Sequence, residues 1–261
     1  MKAFSFDLMG EFALFKKNDA NDIVLIGYNF IHKPAVLGIL GAITGLKGYG
    51  NNRKEKSFAE YYDIFKNVKI AIIPYYDRPL KKTIIDFNNA SGLASENGTW
   101  QIKEQILIGE PIIKYEIIIL EEQSGENQKY IDRLKNNIIL KSSEFPLYFG
   151  KNEFFAWFDN YREYEVKSID DILKEFEFSS LIKIENFEEV NRKVNFFSNN
   201  SYYAIYEQLP YNFNDEGFYM KDLFIFSNKK FKKKNSETFI NIYSIKNSNK
   251  DSNGEKNVQF F

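Results

Sequence analysis

The sequence predicts an α+β protein: a ferredoxin-like domain with an inserted β-hairpin, followed by a smaller β-rich C-terminal domain. Three observations lead there. The first 140 residues read strand, helix, strand, hairpin, strand, helix, and the remainder reads as short strands separated by turns. Aromatics reach 17%, with 26 Phe and 17 Tyr, a load that suits pleated, half-buried surfaces.

Residues 2–8, KAFSFDL, alternate in period two and form a strand, which EFALFKK continues beyond Gly10, a position for a bulge or kink. After the polar turn NDAND, IVLIGYNF is extended. Pro34 then opens a helix where its missing N–H matters least, and the helix runs to about Gly45. GYGNNRKEK, residues 48–56, is a loop; Ser57 is placed to cap a second helix, with Glu60 at the capping-box position. VKIAIIPYY, residues 68–76, reads as a strand at the centre of the sheet. From 81 to 104 the chain has the pattern of a long hairpin, with TIIDF and QIKEQILIG flanking a turn-rich tip. PIIKYEIIIL (111–120) is a further buried strand and NQKYIDRLKNNI a helix. Beyond Lys141, the segments KNEFFAWF, REYEVKSI, SLIKIENF, SYYAIYEQLPY, FYMKDLFIFSN and ETFINIYSI each read as a strand. Two units are expected: residues 1–142, with the hairpin insertion at about 80–105, and residues 143–261, with a flexible tail at about 246–257.

Composition narrows the chemistry. The absence of cysteine excludes disulfides, thiolate catalysis and cysteine-ligated zinc, and the single histidine excludes a multi-histidine metal site. No apolar run reaches eighteen residues, and Asp7 and Glu11 interrupt the first segment, so neither a membrane span nor an export signal is expected and the expected location is cytoplasmic. A net charge of -1 gives no global attraction to nucleic acid. Distribution is more informative: residues 144–190 hold 12 acids against 5 bases, and residues 191–261 hold 11 bases against 7 acids, which suits different partners at different surfaces. With 30 Lys to 5 Arg, the few guanidinium groups gain weight as phosphate ligands.

The stretch YNFIHKPAVLGILGAITG, residues 28–45, places Ala35, Gly38, Gly41, Ala42 and Gly45 on one helical face. Small residues there allow close approach, either of packed elements or of RNA or a partner chain, while Lys33 at the helix N-terminus can meet a phosphate. Together with FSFDLMGEFALFKK, AEYYDIFKNVKIAI, PLYFGKNEFFAWF and YEQLPY, this stretch resembles the CRISPR-associated protein family five of type I Cascade, closest to the type I-B branch, over residues 2 to about 213. The resemblance implies a subunit that holds the 5′ handle of the crRNA and contacts a backbone subunit and the large subunit. It meets target DNA through the complex and uses no cofactor. The hairpin of residues 81–104 sits where that family carries its thumb.

Candidate RNA-binding residues are aromatic and basic side chains close in sequence: Tyr28 with His32 and Lys33, Tyr49 with Arg53 and Lys54, Trp100 with Lys103, and the cations Arg78, Lys81 and Lys82. One branch of the resembled family, in type I-C systems, cuts repeat RNA without a metal. For such a reaction this chain offers His32 as base, with Tyr28 and Lys33 beside it. The type I-C pattern carries its histidine after the hairpin, where this sequence reads IIKYEII, so a non-catalytic scaffold is expected; an endoribonuclease and an assembly adaptor without RNA contact are the alternatives. The carboxylate pairs Asp170-Asp171 and Glu188-Glu189 suit a solvated face, a basic partner or Mg²⁺. KKFKKK, residues 229–234, suits a solubilising turn or a phosphate contact.

Overall fold

Alternation in residues 2–13 builds the strand against which the other layers are laid. Phe4, Phe6 and Leu8 project to one face of β1 (Lys2–Ala13), and Ala3, Ser5 and Asp7 to the other, all of them buried. The computed structural model describes residues 1–18, 24–49, 58–89, 100–121, 127–169, 175–190, 202–234, 242–248 and 254–261. After β1 come β2 (Val24–Ile26), α1 (Lys33–Thr44), α2 (Glu60–Phe65), β3 (Ile70–Pro74), β4 (Lys81–Asn89), β5 (Trp100–Leu120) and α3 (Gln128–Ile139). The second half contributes β6 (Leu147–Tyr148), β7 (Phe155–Ser168), β8 (Phe176–Glu177), β9 (Ile182–Lys183), β10 (Phe187–Glu189), β11 (Ala204–Phe213), β12 (Tyr219–Ser227), β13 (Lys230–Lys233), β14 (Ile242–Asn247) and β15 (Lys256–Gln259).

The protein is a strand-rich α+β fold. β1 lies between β5 and β7, antiparallel to both, and β3 pairs antiparallel with the outer side of β5, giving the order β7-β1-β5-β3. α1 lies in the connection from β1 to β3, and α3 in that from β5 to β7. Both pack their apolar stripes, Val36, Leu37, Leu40 and Ile43 and then Ile131, Leu134 and Ile138, into the cluster that holds Phe4, Phe6 and Leu8. β14 and β15 extend the same sheet beyond β7, whereas β8 to β13 form two three-stranded sheets. The boundary expected near residue 142 falls between α3 and β6, and the main sheet runs across it because β7 pairs along β1.

Four local expectations need correction. The sequence places residues 68–76 at the centre of the sheet; the structure puts β3 at its edge. That edge is closed by backbone bonds between Ile70 and Phe261 (3.0 and 3.2 Å) and from the Leu181 N–H to the Ile72 carbonyl (2.9 Å), so the strand is apolar throughout without being central. KNEFFAWF and REYEVKSI supply one strand, β7, whose bulge falls at Asn160, in the left-handed region at φ 58. α2 begins after Ala59 with no side-chain cap, and the Glu60 carboxylate instead accepts from the Lys47 N–H (2.9 Å); Ser57 lies outside the described residues. The hairpin and the strand at 111–120 share β5, which pairs with β4 through residues 100–108, with β3 through 115–119, and with β1 through 113–120 and again at 107–108, across a bulge at 109–112. The tip of that hairpin, residues 90–99, lies outside the described residues.

The face turned away from the helices is apolar at one end, where Ala71, Ile118, Leu120, Tyr164 and Val166 pack against Tyr243, Ile245, Val258 and Phe260. The adjoining row carries two fully buried carboxylates. Asp7 accepts from both terminal nitrogens of Arg162 (2.8 and 2.9 Å), from the Asn160 amide (2.8 Å) and from Lys114 (2.7 Å). Glu116 accepts from Ser5 (2.8 Å), Tyr164 (2.7 Å), Tyr75 (3.1 Å) and Lys256 (3.1 Å), with Arg162 at 3.4 Å. Burial by itself raises both carboxyl pKa values. The cations and hydroxyl donors outweigh it, and both are held below the ordinary range.

Because these groups bind protons less tightly folded than unfolded, their contribution is complete above the ordinary carboxylate pKa of about 4 and is lost as pH falls through the folded values. Calorimetry between pH 7 and pH 3 will show Tm dropping below about pH 4.5. Glu116→Gln will cost about 3–5 kcal/mol at pH 7, the cost of breaking a buried pair, and will flatten the acid limb. An acid limb as steep in the variant as in the parent would remove Glu116 as its origin.

Candidate nucleic-acid interface

The small residues of α1 serve two purposes. A Cβ on Gly41 would stand 2.4 Å from the Tyr61 Cβ, so this glycine is what lets α2 lie against α1. Gly38 meets the Tyr61 ring only at 3.8 Å or beyond, an ordinary contact, and with Ala35 and Ala42 it lines a cleft of about 420 Å³. The aromatic walls of that cleft are Tyr49, Tyr61, Tyr148, Phe213 and Tyr219. The Tyr61 pKa is raised, first by burial and then by the neighbouring Tyr49, Tyr219 and Tyr148, and burial pushes Tyr219 up to about 12. These hydroxyls therefore stay protonated and remain hydrogen-bond donors.

Behind the cleft runs a column of rings. Phe213 stacks on Tyr219 (4.8 Å between centroids), Tyr219 meets His32 edge-on (5.4 Å), and His32 meets Tyr28 edge-on (5.3 Å). His32 is buried, its pKa lowered by burial to about 3, and its Nδ1 accepts from the Ala35 N–H (3.3 Å) as the N-cap of α1. It is neutral at physiological pH and committed to holding the helix start. Lys33 also turns inward: its Nζ donates to the Phe261 O (3.0 Å), and burial, with Lys183 and Lys69 adding repulsion, lowers its pKa to about 8. Tyr28, His32 and Lys33, grouped by sequence as a surface constellation, are core residues, because the chain turns into the helix with all three side chains covered.

Beyond Tyr28 lies a cluster of cations that the sequence does not group. Lys17 stands 5.1 Å over the Tyr28 ring and Lys221 stands 6.0 Å from it. Lys17 pairs with Glu207 (3.3 Å), a buried carboxylate that accepts from the Asn29 backbone N–H (2.7 Å) and side-chain amide (2.9 Å). Lys82, the second residue of β4, has its pKa lowered by burial, with Glu207 opposing and Lys17 adding to the shift. Lys17 and Lys82 thus flank one buried carboxylate at the root of the hairpin, and Lys221 joins Lys17 at the Tyr28 ring. Farther along β5, Lys151 pairs with the buried Glu104 (2.7 Å) and lies 4.8 Å over the Phe87 ring. Cations beside an aromatic cleft suit a strand whose phosphates need neutralising and whose unstacked bases need a ring surface.

The remaining candidates scatter. Tyr49 lines the cleft, Lys81 is exposed at the start of β4, Lys103 pairs with Asp86 (3.8 Å), and Arg78, 76% exposed, faces Glu110 at 3.6 Å. Arg53 and Lys54, the Trp100 side chain, and the pair Asp170-Asp171 lie outside the described residues. Two lysines of the basic run at 229–234 pair with Glu188 and Glu189 where β10 meets β13, through Lys232–Glu188 (2.8 Å) and Lys229–Glu189 (2.7 Å), while Lys233 and Lys234 donate to the Ile169 and Glu185 carbonyls. Lys17, Glu207, Phe213, Tyr219 and Lys221 escaped the sequence reading; the i, i+2 pair Tyr219 and Lys221, on one face of β12, is the signal that was there to find.

No family model and no curated protein matches the sequence. Among solved structures, the chain is similar to a chain of a CRISPR RNA-guided surveillance complex, with 11% identity, 89% of this chain and 91% of that one covered, and a TM-score of 0.45. It is also similar to a CRISPR protein from Archaeoglobus fulgidus, with 9% identity, coverage of 99% and 98%, and a TM-score of 0.47. A functionally uncharacterized protein from Streptococcus mutans aligns with 15% identity, coverage of 61% and 68%, and a TM-score of 0.28.

The two glycines of α1 separate packing from cleft. Gly41→Ala forces α2 away and will cost about 1–3 kcal/mol, the usual range for overpacking. Gly38→Ala will be neutral or will stabilise by about 0.5–1 kcal/mol through helix propensity. Thermal melts of the two variants test this, and the reverse order would show that the cleft floor is as tight as the helix contact.

Proposed function

We propose that this chain is a non-catalytic RNA-binding scaffold subunit of a type I CRISPR interference complex, of the type I-B kind. It holds the 5′ handle of the crRNA and joins the large subunit to the backbone subunits. The observation that carries this reading is the lysine cluster Lys17, Lys82 and Lys221 at the root of the hairpin, set beside the tyrosine-walled cleft. Phosphates of the handle sit against the lysines and fix its register, and an unstacked base enters between the rings, where protonated hydroxyls donate to it. The order β7-β1-β5-β3, with α1 and α3 in the two crossovers, supports the ferredoxin-like layout this role calls for, and the β4–β5 hairpin suits its thumb. The sequence resemblance over residues 2 to about 213 supports the same assignment.

The burial of His32 favours a scaffold over a nuclease. A general base must reach the attacking hydroxyl, and this imidazole is covered, neutral and engaged through Nδ1 in capping α1.

Incubating the chain with end-labelled repeat RNA in EDTA, and running native and denaturing gels on the same samples, tests both parts. A mobility shift without a product is expected; a discrete product would overturn the scaffold reading. Replacing Lys17 and Lys82 together by Ala will reduce the slope of log K against log salt by about 1.4, at roughly 0.7 per phosphate contact on a single strand. An unchanged slope would take both lysines out of the site.

A further inference from the structure

On the face of the sheet away from α1 and α3, one row crosses four strands. The Tyr75 N–H donates to the Lys114 carbonyl (3.0 Å), Lys114 lies opposite Met9, and Met9 lies opposite Trp157. The two rings at its ends are 46% and 41% exposed, and at three strand spacings they stand about 14 Å apart. Between them the Lys114 ammonium lies 4.4 Å from the centroid of the Tyr75 ring. Beneath the row, Asp7 and Glu116 are wholly buried, whereas their partners Lys114, Arg162 and Lys256 keep 24–36% of their side chains exposed. Three cations thus stand over two hidden carboxylates, and the neighbouring Asp159 is paired with Lys141 (2.7 Å). The outward face here presents two separated rings and, between them, cations whose carboxylate partners are buried.

We infer that this face is a second track for single-stranded nucleic acid, taking two or three nucleotides across β3, β5, β1 and β7. Bases stack on Tyr75 and Trp157, and the intervening phosphates meet Lys114 and Arg162. An antiparallel sheet face with exposed rings three strands apart leaves room for an intervening nucleotide between two stacked bases, and its cations are held by carboxylates that a phosphate never meets. The track extends the nucleic-acid reading above and is independent of the lysine cluster, which lies at the root of the hairpin around Tyr28 and Glu207.

The chain has two tryptophans, so Trp100→Phe leaves Trp157 as the reporter on this face. In that background, full-length protein is titrated with a uridine hexamer and a thymidine hexamer in EDTA at low salt, following tryptophan emission. Saturable quenching is expected; RNA and DNA are distinguished by which hexamer saturates at the lower concentration. Tyr75→Ala and Lys114→Ala will each raise the midpoint about tenfold, the scale of one stacked base or one lost contact, and the Lys17→Ala/Lys82→Ala pair will leave it in place. Emission that stays constant while labelled repeat RNA still binds by anisotropy would overturn the track and leave the lysine cluster standing. Quenching abolished by the Lys17/Lys82 pair would overturn it too, by assigning the signal to the hairpin root. If anisotropy fails and quenching persists, the lysine-cluster reading falls and the track survives.

Discussion

The register of the central sheet is set by two carboxylates that have no place in the apolar core. Asp7 and Glu116 sit opposite each other on β1 and β5, and Arg162 of β7 binds the first and approaches the second. A one-residue slip of β1 would drive Asp7 into the layer occupied by Phe6 and Leu8 and strip it of every donor. Desolvating these groups is costly, and a buried pair is a weak source of net stability. What it supplies is a single acceptable alignment of β1, β5, β7 and β15, the strands from which the hairpin and the exposed face are built.

The helix side is governed by shape. Gly41 allows Tyr61 to come within backbone distance of α1, and that approach sets one wall of the cleft whose floor includes Gly38. His32 fastens the start of the same helix and also buttresses Tyr219, so the cap and the cleft wall rest on one side chain. A residue that the sequence offers as a catalyst is therefore the joint between a helix start and a ring column. Its low pKa follows from that burial and is no mark of acid–base chemistry.

How much of this was legible follows from what a linear reading measures. β1, α1, the β4–β5 hairpin and α3 were legible because each declares itself through periodicity or turn residues within a dozen positions. The position of β3 was not, since an apolar run reports coverage on both faces and says nothing of which strands provide it; here Phe261 and Leu181 close its edge. The site was read least well. Tyr28, His32 and Lys33 are adjacent in the chain and of suitable type, yet the fold buries all three. The lysine cluster joins residues 17 and 82 at Glu207 and residues 17 and 221 at the Tyr28 ring, and no window of sequence contains that set.

Charge shows the same limit and the reason behind it. A net charge of -1 argues against a nucleic-acid partner only if acids and bases are equally exposed. In this fold they are sorted by depth: Asp7, Glu104, Glu116 and Glu207 are buried, while Lys114, Lys151, Arg162, Lys256 and Lys17, which neutralise them, reach the surface. Long aliphatic stems make this arrangement natural, because lysine and arginine can bind an internal carboxylate and still present part of the charged group to solvent. Within the basic run at 229–234, Lys229 and Lys232 are the counter-case, since their partners Glu189 and Glu188 are as exposed as the lysines and offset those two charges at the surface. Cations over hidden acids, rather than cations in a row, are what give a nearly neutral chain two surfaces suited to a polyanion.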